Sequence, residues 1–254
     1  MVSLSLDNIG ARYGRREILS GASAELQGGG LTALVGANAA GKSTLFRRIA
    51  GHLRGAGRIQ LHGVARHEMR YMPQDTGMNA ALTVYESIIL ALKQGNGGWR
   101  LSAEELRAVD GILVRFNITH LADQQLHELS GGQRQAVSIS QTLVSRPKIV
   151  LMDEPTSALD LNRQYEVLET LRLYSEETGA VMVLALHEIN QVMRCCTATL
   201  ALGEGRILAS GPTLEVLTPA LIRRLYGIDS RVERCSRGCP VMIVDGPVGQ
   251  AAAE

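Results

Sequence analysis

Gly36-Ala37-Asn38-Ala39-Ala40-Gly41-Lys42-Ser43 sets two glycines, a lysine and a serine at the spacing G-x-x-x-x-G-K-S. It follows the apolar run Leu31 to Val35 and precedes Leu45, Ile49 and Ala50, which recur at helical spacing. Strand, loop and helix in that order make a phosphate cradle. Small residues let main-chain N–H groups close on an anion, and the helix aims its partial positive charge at it. Lys42 is placed to bridge the β- and γ-phosphates of a nucleotide, and the Ser43 hydroxyl to reach a magnesium ion. A glycine-rich turn with a surface lysine would explain the composition but not its place between strand and helix.

A second pair of groups suits the same chemistry. Asp153 ends the run Ile149-Val150-Leu151-Met152, with Glu154 beside it and Pro155 stopping the strand. Adjacent carboxylates repel, and a divalent cation with its phosphates makes their juxtaposition tolerable. Asp153 is the expected magnesium ligand, directly or through water, and Glu154 the group that orients and deprotonates an attacking water. A third feature is Leu129-Ser130-Gly131-Gly132-Gln133, which opens a helix whose apolar positions include Val137, Ile139 and Leu143. Its bare backbone and serine hydroxyl make an anion site, or simply an N-cap. It belongs to a different stretch from the Lys42 loop and cannot easily serve the same phosphate within one chain, so it points to a second subunit.

The elements that position these groups follow from the hydrophobic pattern. Continuous apolar runs at Leu31–Val35, Ile149–Met152 and Ala180–Leu186 suit strands buried on both faces of a parallel sheet, with Leu161–Glu177 as a covering helix. Ligands of such sheets sit beyond the carboxyl ends of the strands, which gathers Gly36, Asp153 and His187 around one crevice. From Val84 to Ser145 the period becomes helical, with Val84, Ile88, Ile89 and Leu92 on one face and Leu106, Val109, Leu113 and Phe116 on another. Inside this insert, Gly95-Asn96-Gly97-Gly98-Trp99 reads as a linker and Ser102-Ala103-Glu104-Glu105 as a helix start with a capping box. Past Tyr226 the pattern is mixed and the last residues, Ala251-Ala252-Ala253-Glu254, read as a frayed tail.

The chain has 254 residues, 45% hydrophobic and 20% charged, as a folded globular protein does. Its 26 Lys and Arg against 25 Asp and Glu leave no basic field for a nucleic acid. No apolar run approaches the roughly 20 residues of a membrane-spanning helix, and MVSLSLDNIG lacks the pattern of a secretory signal. Cys195-Cys196 and Cys235/Cys239 lack zinc-site spacing and read as free thiols, with a redox or metal role for the second pair as the alternative.

Taken together, these motifs resemble the nucleotide-binding subunit of ATP-binding-cassette (ABC) transporters over nearly the whole chain. Gly36 to Thr44 matches the Walker A loop, Leu129 to Gln133 the signature, and Ile149 to Glu154 the Walker B strand. Tyr13 matches the aromatic that stacks on adenine, Gln74 the Q-loop glutamine, Ser157-Ala158-Leu159-Asp160 the D-loop, and His187 the switch histidine. The resemblance implies an α/β fold: a P-loop NTPase (RecA-like) core with a parallel sheet, an antiparallel β subdomain and an inserted α-helical subdomain. It implies one ABC ATPase domain over 1–254, with 1–83 and 147–225 as the α/β core, 84–146 as the helical subdomain and 226–254 as a C-terminal extension.

The resemblance also implies the site. ATP is held by Tyr13, Gly36, Ala37, Asn38, Ala39, Ala40, Gly41, Lys42, Ser43 and Thr44 of one copy and by Ser130, Gly131, Gly132 and Gln133 of the other, in a homodimer with two sites. Ser43, Gln74 and Asp153 hold Mg2+; Glu154 is the general base, His187 contacts the γ-phosphate, and Gln74 relays its presence to membrane partners. The sequence departs from the family at Ala37 and Ala39, where proline and glycine are frequent, at Glu188 for aspartate and at Ala136 for arginine. Ala39 bears on the loop's geometry because glycine alone visits positive φ freely.

The expected activity is ATP hydrolysis driving an importer from the cytoplasmic face of the inner membrane, with integral permease subunits and an external substrate-binding protein. Pro155 to Leu161 and Leu225-Tyr226-Gly227-Ile228-Asp229 look like the branch serving iron siderophores, haem and vitamin B12. An exporter ATPase and a soluble cassette ATPase of DNA repair, chromosome maintenance or translation are the alternatives; the absence of sustained heptads, a second cassette and a basic field speaks against the latter.

Overall fold

In the computed structural model, which describes residues 2–74, 81–94 and 100–249, the apolar runs become the middle of a six-stranded sheet. The chain opens with β1 (Ser3–Tyr13), β2 (Arg16–Gln27) and β3 (Gly30–Val35), then α1 (Lys42–Ala50), β4 (Arg58–His62) and β5 (Met69–Met72). Three helices follow: α2 (Val84–Lys93), α3 (Ala103–Arg115) and α4 (Gly131–Leu143). Strand and helix then alternate through β6 (Ile149–Asp153), α5 (Leu161–Thr178), β7 (Val181–Ala185), α6 (Ile189–Cys195), β8 (Ala198–Gly203) and β9 (Arg206–Pro212). Two short helices, α7 (Thr213–Val216) and α8 (Pro219–Tyr226), lead to a terminal hairpin of β10 (Ile228–Arg234) and β11 (Pro240–Pro247).

The large sheet runs β5-β6-β7-β3-β8-β9, parallel except for the last pair, and β2-β1-β4 form a separate antiparallel sheet. Because side chains alternate along a strand, the large sheet feeds two cores. Leu31, Ala33, Val35, Val150, Met152, Met182 and Leu184 join the helical layer, including α2 to α5. Leu34, Ile149, Leu151, Val181, Val183 and Ala185 join α1 and the antiparallel sheet. Every residue of β3, β6 and β7 is buried, which is why these strands read as unbroken apolar runs.

Local chemistry sets the element ends. Thr83, Ser102 and Ser130 cap α2, α3 and α4, each reciprocated by the third helical residue, Glu86, Glu105 and Gln133. Arg48 of α1, buried, donates to the carbonyls of Gly10 (3.0 Å), Leu53 (3.3 Å), Gly55 (3.0 Å) and Ala56 (2.8 Å), tying the segment after α1 to β1. Only glycine fits at position 55, where a Cβ would stand 2.1 Å from the Gly10 carbonyl oxygen.

The terminal hairpin is the element that the pattern past Tyr226 does not foretell. Its strands alternate weakly and are only partly buried, and it is fastened to α6, where Asn190 donates to the Met242 carbonyl (3.1 Å) and accepts from the Met242 amide (2.8 Å). The linker Gly95 to Trp99 and the tail Ala251 to Glu254 lie outside the described residues.

Candidate functional site

The carboxyl ends of β3, β6 and β7 lie side by side, with Leu34 in register with Ala185 and Asp153 with Ala185 across the other edge of β7. The chain therefore delivers Gly36, Glu154 and His187 to one crevice. A cleft of about 700 Å³ opens there, lined by Arg16, Ile18, Asn38, Ala39, Ala40, Gly41, Lys42, Ser43, Thr44, Gln74, Glu154 and His187.

The loop before α1 turns on two left-handed residues. Ala39 stands at φ 61 and Gly41 at φ 104, both left-handed, so the alanine occupies a backbone state that costs it about 1–2 kcal/mol and glycine nothing comparable. Lys42 is buried, and its ammonium donates to the carbonyls of Gly36 (2.8 Å) and Ala37 (3.2 Å). Burial lowers its pKa from the usual lysine value, against the opposing pull of the Glu154 and Asp153 charges. Asp153, 2% exposed, is pushed the other way: burial raises its carboxyl, opposed by a hydrogen bond from Ser43, and the neighbouring Glu154 raises it further.

Glu154 is held at both carboxylate oxygens and at its carbonyl. Its Oε2 accepts from Gln74 Nε2 (2.8 Å), its Oε1 meets His187 Nε2 (2.5 Å), and its carbonyl accepts from Gln135 Nε2 (3.2 Å) and Ser157 Oγ (3.1 Å). The residue sits at φ 54, a strained state that the surroundings fix rather than the residue's preference. Gln74 and His187, 113 residues apart by number (187 minus 74), thus converge on one carboxylate at the mouth of the phosphate loop.

Two groups stand apart from this cleft. Tyr13 is not in its lining; 44% exposed, it pairs in register with Arg16, which is, and its hydroxyl accepts from Arg47 (3.3 Å). Ser130, Gly132 and Gln133 line a different cavity with Ala158, Leu159 and Asp160, and Ser130 and Gln133 cap α4 through bonds of 3.3 and 2.8 Å. Gly131 is exposed beside them. One chain does not bring this helix end to its own Lys42.

A family model described as ABC transporter matches residues 19–157. The chain is 32% identical to the iron(3+)-hydroxamate import ATP-binding protein FhuC of Bacillus subtilis, covering 91% of this chain and 90% of that protein. It is 34% identical to the ferric enterobactin transport ATP-binding protein FepC of Escherichia coli, covering 93% and 87%. The chain belongs to the ABC transporter family. Its fold superposes on a chain of a transporter described as of the metal-chelate type, in an inward-facing conformation, with a TM-score of 0.85, 27% identity and coverage of 96% and 98%.

As an ABC ATP-binding subunit, the protein binds nucleotide and is an ATPase coupled to transport. Among its described residues no helix is long and apolar enough to cross a membrane. The cassette's structure also contains site-building residues that sequence inspection does not single out. Arg16 and Ile18 line the cleft from β2, and Gln135 fixes the Glu154 carbonyl from the second turn of α4. Arg16 stands three residues after Tyr13, the only sequence signal that places it near the nucleotide. The four cysteines are free thiols; burial pushes Cys196 up to about 12, whereas Cys235 and Cys239 are exposed across the turn of the terminal hairpin. No cluster of three or more His, Cys, Asp or Glu side chains suited to a metal ion occurs among the described residues.

Proposed function

We propose that this chain is the ATP-hydrolysing subunit of an importer for a ferric siderophore or related metal chelate. Two copies close head to tail on two ATP molecules, each held by the Lys42 loop of one copy and the Ser130 helix end of the other. The observation that carries the hydrolytic role is the convergence of Gln74 and His187 on the Glu154 carboxylate, directly before the phosphate loop.

In this reading residues 1–83 and 147–225 form the nucleotide-binding core, 84–146 a helical subdomain that carries the signature, and 226–254 a C-terminal extension. Tyr13 and Arg16 border the base. The main-chain amides that follow Gly36, from Ala37 to Thr44, and the Lys42 ammonium take the phosphate charge, which requires Lys42 to leave the Gly36 and Ala37 carbonyls. Glu154 accepts the proton of the attacking water, and His187, already on Oε1, steers that carboxylate and contacts the γ-phosphate. Ser43, Asp153 and the Gln74 amide offer hard oxygen donors of the kind Mg2+ prefers, and Asp153 is a buried carboxylate whose raised pKa a cation would relieve. A magnesium ion held by these residues would supply charge neutralisation to the nucleotide phosphates.

The names of FhuC, an iron(3+)-hydroxamate import ATP-binding protein, and FepC, a ferric enterobactin transport ATP-binding protein, support the cargo class, and that of FhuC the direction of transport. Permease subunits in the inner membrane, an external binding protein and a location on the cytoplasmic face complete the reading. The test is uptake of a labelled ferric hydroxamate or catecholate by cells lacking this gene. Wild type restores it; Glu154→Gln does not, and the purified variant loses at least about 100-fold in hydrolysis while forming an ATP-bound dimer on size exclusion. Normal turnover by Glu154→Gln, or uptake of both chelates unaffected by the deletion, overturns the proposal.

A further inference from the structure

The Tyr226 hydroxyl reaches across the fold to the first residue of the phosphate loop and accepts a hydrogen bond from the Gly36 N–H at 3.1 Å. Tyr226 lies in the Leu225-Tyr226-Gly227 segment, which the catalytic scheme above does not use. Val35 is the last residue of β3 in register with a neighbour, so the Gly36 amide is the first main-chain donor beyond the ladder. The hydroxyl supplies the acceptor that the sheet no longer provides. On its other side, the Gly36 carbonyl accepts from the Lys42 ammonium at 2.8 Å. Gly36 is therefore gripped at both polar atoms, and no side chain could replace that grip, because a Cβ there would lie 2.3 Å from the Leu202 carbonyl oxygen.

Tyr226 is itself firmly carried. It ends α8, whose Ile222 and Leu225 are buried, whose Arg224 forks onto Glu204, and whose stop is Gly227 at φ 68. Burial keeps the phenol neutral by raising its pKa. The chain then runs into the terminal hairpin, where Met242 exchanges two hydrogen bonds with Asn190 of α6, three residues past His187. A single C-terminal segment thus touches the start of the phosphate loop at one end and the helix behind His187 at the other.

We propose that residues 226–242 form a brace across the nucleotide site, in which Tyr226 is a positioning residue that sets the Gly36 peptide plane and through it the phosphate loop and Lys42. The brace rests on the ATPase reading. Without the hydroxyl, the Gly36 amide must turn toward another acceptor, tilting the peptides that follow and so weakening the grip on triphosphate. Once ATP is seated, the catalytic groups at Glu154 are unaltered. The signature of Tyr226 is therefore in affinity, not in the chemical step.

The full chain, wild type, Tyr226→Phe and Tyr226→Leu, is assayed for binding of a fluorescent ATP analogue, for KM and kcat of hydrolysis, and for nucleotide-free Tm. Tyr226→Phe, which loses one hydrogen bond and keeps the ring, is expected to raise Kd and KM about five-fold while kcat at saturation holds and Tm falls by only about 2–4 °C. Tyr226→Leu is expected to show the same shift in KM with a lower Tm from lost packing. A wild-type KM in Tyr226→Phe overturns the brace, as does a parallel fall in Tm and kcat with KM unchanged, which marks a purely structural tyrosine. Failure of wild type itself to bind the analogue would instead remove the ATPase reading.

Discussion

Asp153 shows most directly that this site trades stability for binding. Its carboxyl is 2% exposed and its folded pKa is raised, chiefly by burial. Between the ordinary aspartate value and that raised value the folded chain holds more protons than the unfolded one, so stability falls as pH rises through the window. Above it the full penalty applies. Asp153→Asn removes the charge and keeps an acceptor for Ser43, and at neutral pH it is expected to raise the nucleotide-free Tm by about 3 °C, on the order of 1 kcal/mol. The gain should fade as pH falls toward that of an ordinary aspartate, where wild type is also neutral. With Mg·ATP added, the order should reverse, because wild type gains more from the ligand. Thermal melts from pH 3.5 to 8 with and without nucleotide check both halves; a gain that persists undiminished at low pH would assign the effect to packing instead.

The site groups bound by chemistry were legible in the sequence, because phosphate, metal and water activation each demand particular residue types at particular spacings. Asn38 to Ser43, Gln74, Glu154 and His187 line the cleft at the strand ends, and Asp153 accepts from Ser43 beside it. Ala39, the departure from the family pattern, does adopt the positive φ that made it notable. Elements held by main-chain carbonyls were not legible. Arg48 reads as any helical arginine, yet its four acceptors come from Gly10 and from the segment after α1, partners that no periodicity announces. The terminal hairpin is not legible for a related reason: its strands are only partly buried, and it is fastened by Met242 in the core and by hydrogen bonds to Asn190 of α6 and to Gly227. For Arg48→Lys we expect a loss of about 3 kcal/mol, seen as a Tm drop of roughly 6–12 °C, since a point-charge ammonium cannot fork onto four carbonyls. A melt indistinguishable from wild type would mean that water replaces those bonds at no cost.

At the scale of the whole molecule, the six-stranded sheet is a wall shared by two cores, and the order of its strands has a cost in time. Gly30 pairs with Val181 and Thr32 with Ala198, so the strand that emerges from the ribosome first waits in the middle for neighbours made far later. Such distant pairings fold slowly, with collapsed intermediates. Refolding from urea, followed by near-ultraviolet circular dichroism, is expected to show a phase of seconds or longer after rapid recovery of helix; a single millisecond phase would contradict this. Until β7 and β8 arrive, a nascent chain carries Leu31 to Val35 as an unpaired ribbon, apolar but for Thr32. An unpaired strand edge of this kind is prone to aggregate, and slower elongation before residue 181 lengthens the interval in which it stays exposed.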